Sequence, residues 1–139
     1  MIIISHRGNL NGRTDRENEP MYITEAIQHY PVEVDVWYKH GWWLGHDIPQ
    51  YNIKFDFFTD EMWLHCKNIE AVEQLKETNL HWFWHKDDIM TLTSKGKIWA
   101  FTGNKIKDSI MVDNEFPRSI DLIAGICTDY PDLWDEYLK

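Results

Sequence analysis

The chain reads as a single α/β domain, and three observations carry that reading. It opens on a continuous apolar, β-branched run, Met1-Ile2-Ile3-Ile4-Ser5, the pattern of a strand covered on both faces. From that run to His85, strand signals alternate with helix signals. The full inventory is strand-rich, with seven or eight predicted strands and only three or four helices. At 139 residues the chain is one domain with room for a real core.

The elements follow in order. The first strand ends at Ser5, so His6-Arg7-Gly8 emerges at its C-terminal end, and residues 9–19 form a polar loop. Pro20 opens a helix predicted from Met21 to Tyr30, because proline at the first turn gives up an N–H that has no partner there; Pro31 stops it. The second strand is Val32 to Tyr38, which turns through Lys39-His40-Gly41 into Trp42-Trp43-Leu44-Gly45-His46. Residues 48–60 show no helical period and are expected to be a loop. The third strand is Met62 to Lys67, and Asn68 caps a helix from Ile69 to Thr78 with Ile69, Val72 and Leu75 on one face. The fourth strand is His81 to His85. Strand signals then recur at Thr91-Leu92, Ile98 to Phe101 and Ser109 to Val112, separated by Ser94-Lys95-Gly96 and Gly103-Asn104. A final strand, Ala124 to Thr128, precedes a short helix from Leu133 to Leu138. There are no internal repeats.

The second strand carries the chemistry. Its residues alternate apolar and acidic, which puts Glu33 and Asp35 on one face and Val32, Val34 and Val36 on the other. Two carboxylates on one strand face repel and are costly to bury unless a cation neutralises them. Oxygen ligands suit a hard divalent ion, Mg²⁺ or Ca²⁺. The alternative is an edge strand whose acids face water, and the neighbouring His6 and His46 favour the ion. His65 and Lys67 share one face of the third strand, so they can join the same cluster.

Taken in order, His6-Arg7-Gly8, Glu17-Asn18, Glu33-x-Asp35 and His46-Asp47 resemble the N-terminal signature of the glycerophosphodiester phosphodiesterase family. The resemblance covers about the first fifty residues, and returns more faintly at Leu64-His65-Cys66-Lys67 and at Gly125-Ile126-Cys127-Thr128-Asp129-Tyr130-Pro131. It implies a TIM barrel. Such barrels ordinarily take roughly 200 to 250 residues. The expectation is therefore a compact, reduced TIM-type (β/α) barrel with several outer helices missing.

The resemblance also implies a metal-dependent hydrolase of small phosphodiesters. His6 and His46 would serve as acid and base, Arg7 and Lys67 would hold the phosphate, Asn18 would join them or orient a catalytic histidine or the substrate, and Glu33, Asp35 and His65 would hold one divalent ion. His65 departs from the family, which has a carboxylate there. An imidazole would move the preference from Mg²⁺ or Ca²⁺ towards Mn²⁺ or Zn²⁺, or His65 would be a hydrogen-bonding residue with no metal role. His85 and Glu115, with Asp87 and Asp88, are further donors near strand ends, whereas His81 falls at the opposite end and is expected to be structural. The alternative to turnover is a binding protein for phosphorylated ligands on the same fold.

Composition limits the partners. A net charge of −9 argues against nucleic acid or an anionic membrane surface, since phosphate backbones are held by Lys and Arg clusters. No apolar run approaches the roughly 18 residues of a membrane span, and no secretory segment precedes the first strand, so a cytoplasmic protein is expected. Cys66 and Cys127 lack metal-finger spacing and are expected to be buried free thiols. Missing outer helices would leave apolar wall bare; Trp84 and Trp99 are expected on it, covered by loops or by a symmetric homodimer.

Overall fold

The computed structural model describes residues 1–113, 115–116 and 119–139. Its elements are β1 (Ile2–His6), α1 (Pro20–Ala26), β2 (Val32–Tyr38), β3 (Trp42–Leu44), β4 (Tyr51–Ile53), β5 (Met62–Cys66), α2 (Ile69–Leu75), β6 (His81–Trp84), β7 (Met90–Leu92), β8 (Ile98–Ala100), β9 (Ser109–Val112), β10 (Gly125–Thr128) and α3 (Pro131–Tyr137). The ten strands belong to one mixed sheet. Its spine is a parallel run in the order β6-β5-β2-β1-β10-β9-β8. An antiparallel strand, β7, edges this run beyond β8. The β3–β4 hairpin takes over the edge of β2 that β1 leaves after Glu33.

This architecture corrects the expected reduced TIM-type barrel. Helices do not flank the strands in turn: the described residues hold three, of seven residues each. The connection lengths explain why. A parallel crossover with a helix needs a dozen or more residues, and β8 reaches β9 through residues 101–108 alone. Between β2 and β5 the chain makes a hairpin and one 3-10 turn, Phe55–Phe57, instead of a helix. No ladder joins β6 to β7 among the described residues. Loop contacts make the seam there: the Ser94 amide donates to the Trp82 carbonyl at 2.7 Å, and His81 Nε2 lies 2.6 Å from Thr93 Oγ1.

Both early helices are shorter than expected. α1 gives way to turns after Ala26, ahead of Pro31, and α2 ends at Leu75. The Asn68 cap is in place, its side chain accepting from the Ala71 amide at 3.1 Å. These helices cover one face of the sheet, where Val32, Val34, Val36 and Leu64 meet Ile23 and Ala26 of α1 and Ala71 and Leu75 of α2. Farther along that face, Trp134 of α3 packs with Met111 and Ile126.

The other face is turned inward. Ile4, Trp63, Phe83, Trp99, Ile110 and Cys127 form its core, and Trp99 of β8 lies 5.7 Å from Trp63 of β5 and 4.5 Å from Phe83 of β6, centroid to centroid. Strands from opposite ends of the spine therefore meet across a curled sheet. Trp99 is only 3% exposed, which corrects its expected outward placement, while Trp84 at 38% does face solvent. The error has a simple source: Ile98-Trp99-Ala100 is apolar on both faces, so alternation could not orient it. Cys66 and Cys127 are buried and free. No described helix is long and apolar enough to cross a membrane.

Candidate functional site

Parallel strands bring their C-terminal ends to one end of the sheet, and side chains in register share a face. Here His6 pairs with Glu33 across β1 and β2, and Asp35 with His65 across β2 and β5. His6, His65, His85 and Asp129 each stand two residues beyond an inward apolar side chain, namely Ile4, Trp63, Phe83 and Cys127. The polar cluster thus sits one pleat above an aromatic floor. It opens into a cavity of about 330 Å³ lined by His6, Arg7, Glu33, His46, His65 and Lys67, with Asp129, His85, Lys86, Trp99 and Phe101 among the remaining walls. Sequence positions far apart converge here.

The carboxylate pair is deeply buried, Asp35 at 0% exposure and Glu33 at 2%. Asp35 is the better satisfied. Its Oδ2 accepts from Asn18 Nδ2 at 2.9 Å and lies 3.1 Å from Arg7 Nε, and its backbone N–H donates to Asn18 Oδ1 at 3.0 Å. Burial alone would raise this carboxyl, but the facing His65 imidazole and the Arg7 charge hold it well below the usual range. Asp35 Oδ1 and Glu33 Oε2 accept no well-formed hydrogen bond among the described residues. Their nearest cationic neighbours are His65 Nδ1 at 3.2 Å from Asp35 Oδ1 and His6 Nε2 at 3.5 Å from Glu33 Oε2. Buried acceptors without hydrogen bonds are costly.

Glu33, Asp35 and His65 each offer a ligand atom within 4.8 Å of the others. The donor set therefore fits a divalent ion, with two carboxylates to balance its charge. His65 is positioned from behind, where its Nε2 lies 2.9 Å from the His85 carbonyl oxygen. A carbonyl can only accept, so Nε2 carries a proton and Nδ1 faces the carboxylates. Burial pulls this imidazole down, yet the Asp35 and Glu33 carboxylates that face Nδ1 outweigh that and push it up to about 9.

His6 is held in the same way by a residue with no assigned role in the sequence reading. Asp129 Oδ1 lies 2.8 Å from His6 Nδ1, which makes Nδ1 the donor and turns Nε2 towards Glu33 and the cavity. Burial lowers the His6 imidazole, and the Asp129 hydrogen bond and Glu33 charge raise it above its ordinary value. Asn9 ties the arrangement together by donating to Asp129 Oδ1 at 2.9 Å and to Glu17 Oε2 at 2.8 Å. Glu17 in turn pairs with Arg7 at 3.3 Å. Asp129 follows β10, which the sheet places beside β1, and in the sequence it stands out only within the Gly125 to Pro131 segment.

The other expected residues separate into two groups. Lys67 and His85 line the cavity, and His85 Nε2 is paired with the Asp88 carbonyl. His46 stands at its mouth, 44% exposed, with Nδ1 2.7 Å from Asp47 Oδ1. Gly45 makes that placement feasible, because at φ +152 a Cβ would fall 2.1 Å from the Ile48 carbonyl oxygen. Asn18 does not line the cavity; both ends of its amide are used on Asp35, so it positions that carboxylate instead of meeting phosphate. Glu115 is exposed on the loop after β9, outside the cavity lining. His81 is buried against Thr93 at the far end of β6, the structural place expected of it.

The chain matches no family model, no curated protein and no solved structure.

Proposed function

We propose that the protein hydrolyses small phosphodiesters with the help of one divalent ion. The observation that carries this reading is the buried group of Glu33, Asp35 and His65, two of which, Glu33 and His65, line a cavity that also presents His6, His46, Arg7 and Lys67. The likeness of the His6-Arg7-Gly8, Glu33-x-Asp35 and His46-Asp47 segments to glycerophosphodiester phosphodiesterases supports it further.

Phosphodiester hydrolysis gathers negative charge on the phosphoryl oxygens and on the departing alkoxide, so a site must answer with positive charge and a proton. Glu33, Asp35 and His65 would hold the ion, which would supply positive charge to the site when bound. Arg7 and Lys67 add fixed cations on the same cavity wall. His6 and His46 divide the proton transfers, one taking the proton of the attacking hydroxyl and the other giving a proton to the leaving oxygen. Asp129 keeps His6 in the tautomer that directs Nε2 inward, as a carboxylate does behind a catalytic imidazole. When the alcohol arm carries a hydroxyl beside the phosphate, that hydroxyl is the attacking group and a cyclic phosphate is the first product.

The test combines calorimetry with hydrolysis of bis(para-nitrophenyl) phosphate. One divalent ion should bind per chain, and turnover should depend on it. Replacing Glu33→Gln together with Asp35→Asn should abolish both. Ion binding without turnover of any phosphodiester would turn the reading to a binding protein.

A further inference from the structure

The ion itself can be narrowed further, on the footing of the proposed phosphodiesterase site. We infer that His65 is a ligand through Nδ1, and that the site consequently selects a first-row transition ion, Zn²⁺ or Mn²⁺, over Mg²⁺ and Ca²⁺.

Three features lead there. First, the backbone of His85 fixes which nitrogen keeps its proton: Nε2–H is directed to the carbonyl oxygen at 2.9 Å, so an arriving ion displaces only the Nδ1 proton, to solvent, and takes up the Nδ1 lone pair. A metal-binding histidine ordinarily donates its second N–H to just such an acceptor, which fixes the ring and strengthens the ligating nitrogen. Second, that Nδ1 already stands at ligand spacing, 3.2 Å from Asp35 Oδ1 and 3.6 Å from Glu33 Oε1. The ring cannot swing away freely, because its face stacks on Phe83 with centroids 4.8 Å apart and planes 16° from parallel. Third, the donor set suits a small number of ions. Ca²⁺ takes six to eight oxygens and Mg²⁺ keeps an all-oxygen octahedron. Three protein donors, one of them nitrogen, match an ion that accepts imidazole and leaves positions open for substrate.

His85 is thereby a positioning residue that acts through its main chain, and its own ring lies beyond the ligand group. Asn18 has the matching task for Asp35, because it accepts from the Asp35 backbone and donates to its Oδ2. Both carboxylate and imidazole are held before any ion arrives.

The experiment is competitive binding of Zn²⁺, Mn²⁺, Mg²⁺ and Ca²⁺ to the full chain, with electron spin echo spectroscopy of the Mn²⁺ form. Mn²⁺ and Zn²⁺ should bind at least about 10–100-fold more tightly than Mg²⁺ or Ca²⁺. The Mn²⁺ spectrum should carry ¹⁴N modulation from one imidazole, and His65→Glu should remove it and bring Mg²⁺ and Ca²⁺ up to comparable affinity. His65→Gln, checked by circular dichroism, guards against a folding defect in the charged variant. Mn²⁺ bound without ¹⁴N modulation, or Mg²⁺ within tenfold of Mn²⁺, would overturn the ligand assignment. In that case Mg²⁺-supported turnover, lost in Glu33→Gln/Asp35→Asn, would leave the phosphodiesterase reading standing. No ion binding at all would remove both.

Discussion

Asp129 shows how much a single side chain can decide. It is buried and bonded to both His6 and Asn9, so its charge is fixed where a rotating imidazole would otherwise lose its direction. Asp129→Asn should fold, because Asn9 can still bond the amide, but its NH₂ can present a donor to His6 and favour the wrong tautomer. The expected cost is about 10²–10⁴ in kcat with KM nearly unchanged, read by steady-state kinetics. A parallel fall in KM-dependent binding would mean that Asp129 merely supports the cavity wall. His6→Ala and His46→Ala should each cost a similar factor, and the double variant little more than the worse single one, because residues that act as a unit do not multiply. At this scale the sequence was informative where chemistry is local. Alternation alone placed Glu33 and Asp35 on one face, away from the three valines, and both are buried there. The sequence marks Asp129 within the Gly125 to Pro131 segment but assigns it no role, because its partner His6 lies 123 residues away, a neighbour that only sheet order creates.

Elements were legible in proportion to their contrast. Val32–Tyr38 and Ser109–Val112 have the bounds the sequence predicts because proline, glycine and polar turns frame them. The strand Tyr51–Ile53 lies inside the stretch 48–60 that reads as loop, since three residues are too few to show a period. The seam between β6 and β7 was equally hidden, and it has its own titration. His81 is buried at that seam, and burial, helped by Lys95 and Lys97, pushes its imidazole down to about 4. In the unfolded chain the same ring takes a proton below about pH 6.5. Between these values the unfolded state holds the extra proton, so stability is complete above the window and falls as pH drops through it. The loss should be on the order of 1–3 kcal/mol by pH 4. Urea unfolding at pH 7 and pH 4.5 measures it, and His81→Gln, which keeps a partner for Thr93, should flatten the difference. An unchanged slope in that variant would place the acid sensitivity elsewhere.

For the whole molecule, the aromatic floor is what joins the two ends of the sheet. Trp99 touches Trp63 and Phe83 from the far end of the spine, so Trp99→Ala empties the place where the curl closes. It should cost about 3–5 kcal/mol in chemical denaturation. Trp84→Ala, on the outside, should stay within about 0.5 kcal/mol unless a second subunit covers it. Sedimentation alongside settles which, since a symmetric dimer through Trp84 would double the 16.7 kDa mass and lose that mass on substitution. The barrel expectation failed at this scale for a reason of length. Motif order resembles a family whose crossovers carry helices, but loops as short as residues 101–108 cannot hold them.

The position of β1 sets an order in time. It lies between β2 and β10, and β10 is the last strand of the chain. The local units, β2 with its hairpin and β5 with α2 and β6, can form early, while β1 keeps one edge open until the chain has closed a loop of more than a hundred residues. Closure of this kind is slow, because its entropy is lost before the contacts repay it. Chemical competence is consequently the last property to arrive. In stopped-flow refolding, far-ultraviolet ellipticity should recover ahead of turnover, with the lag set by the docking of β10 against β1; simultaneous recovery would show that the two strands find each other at the outset.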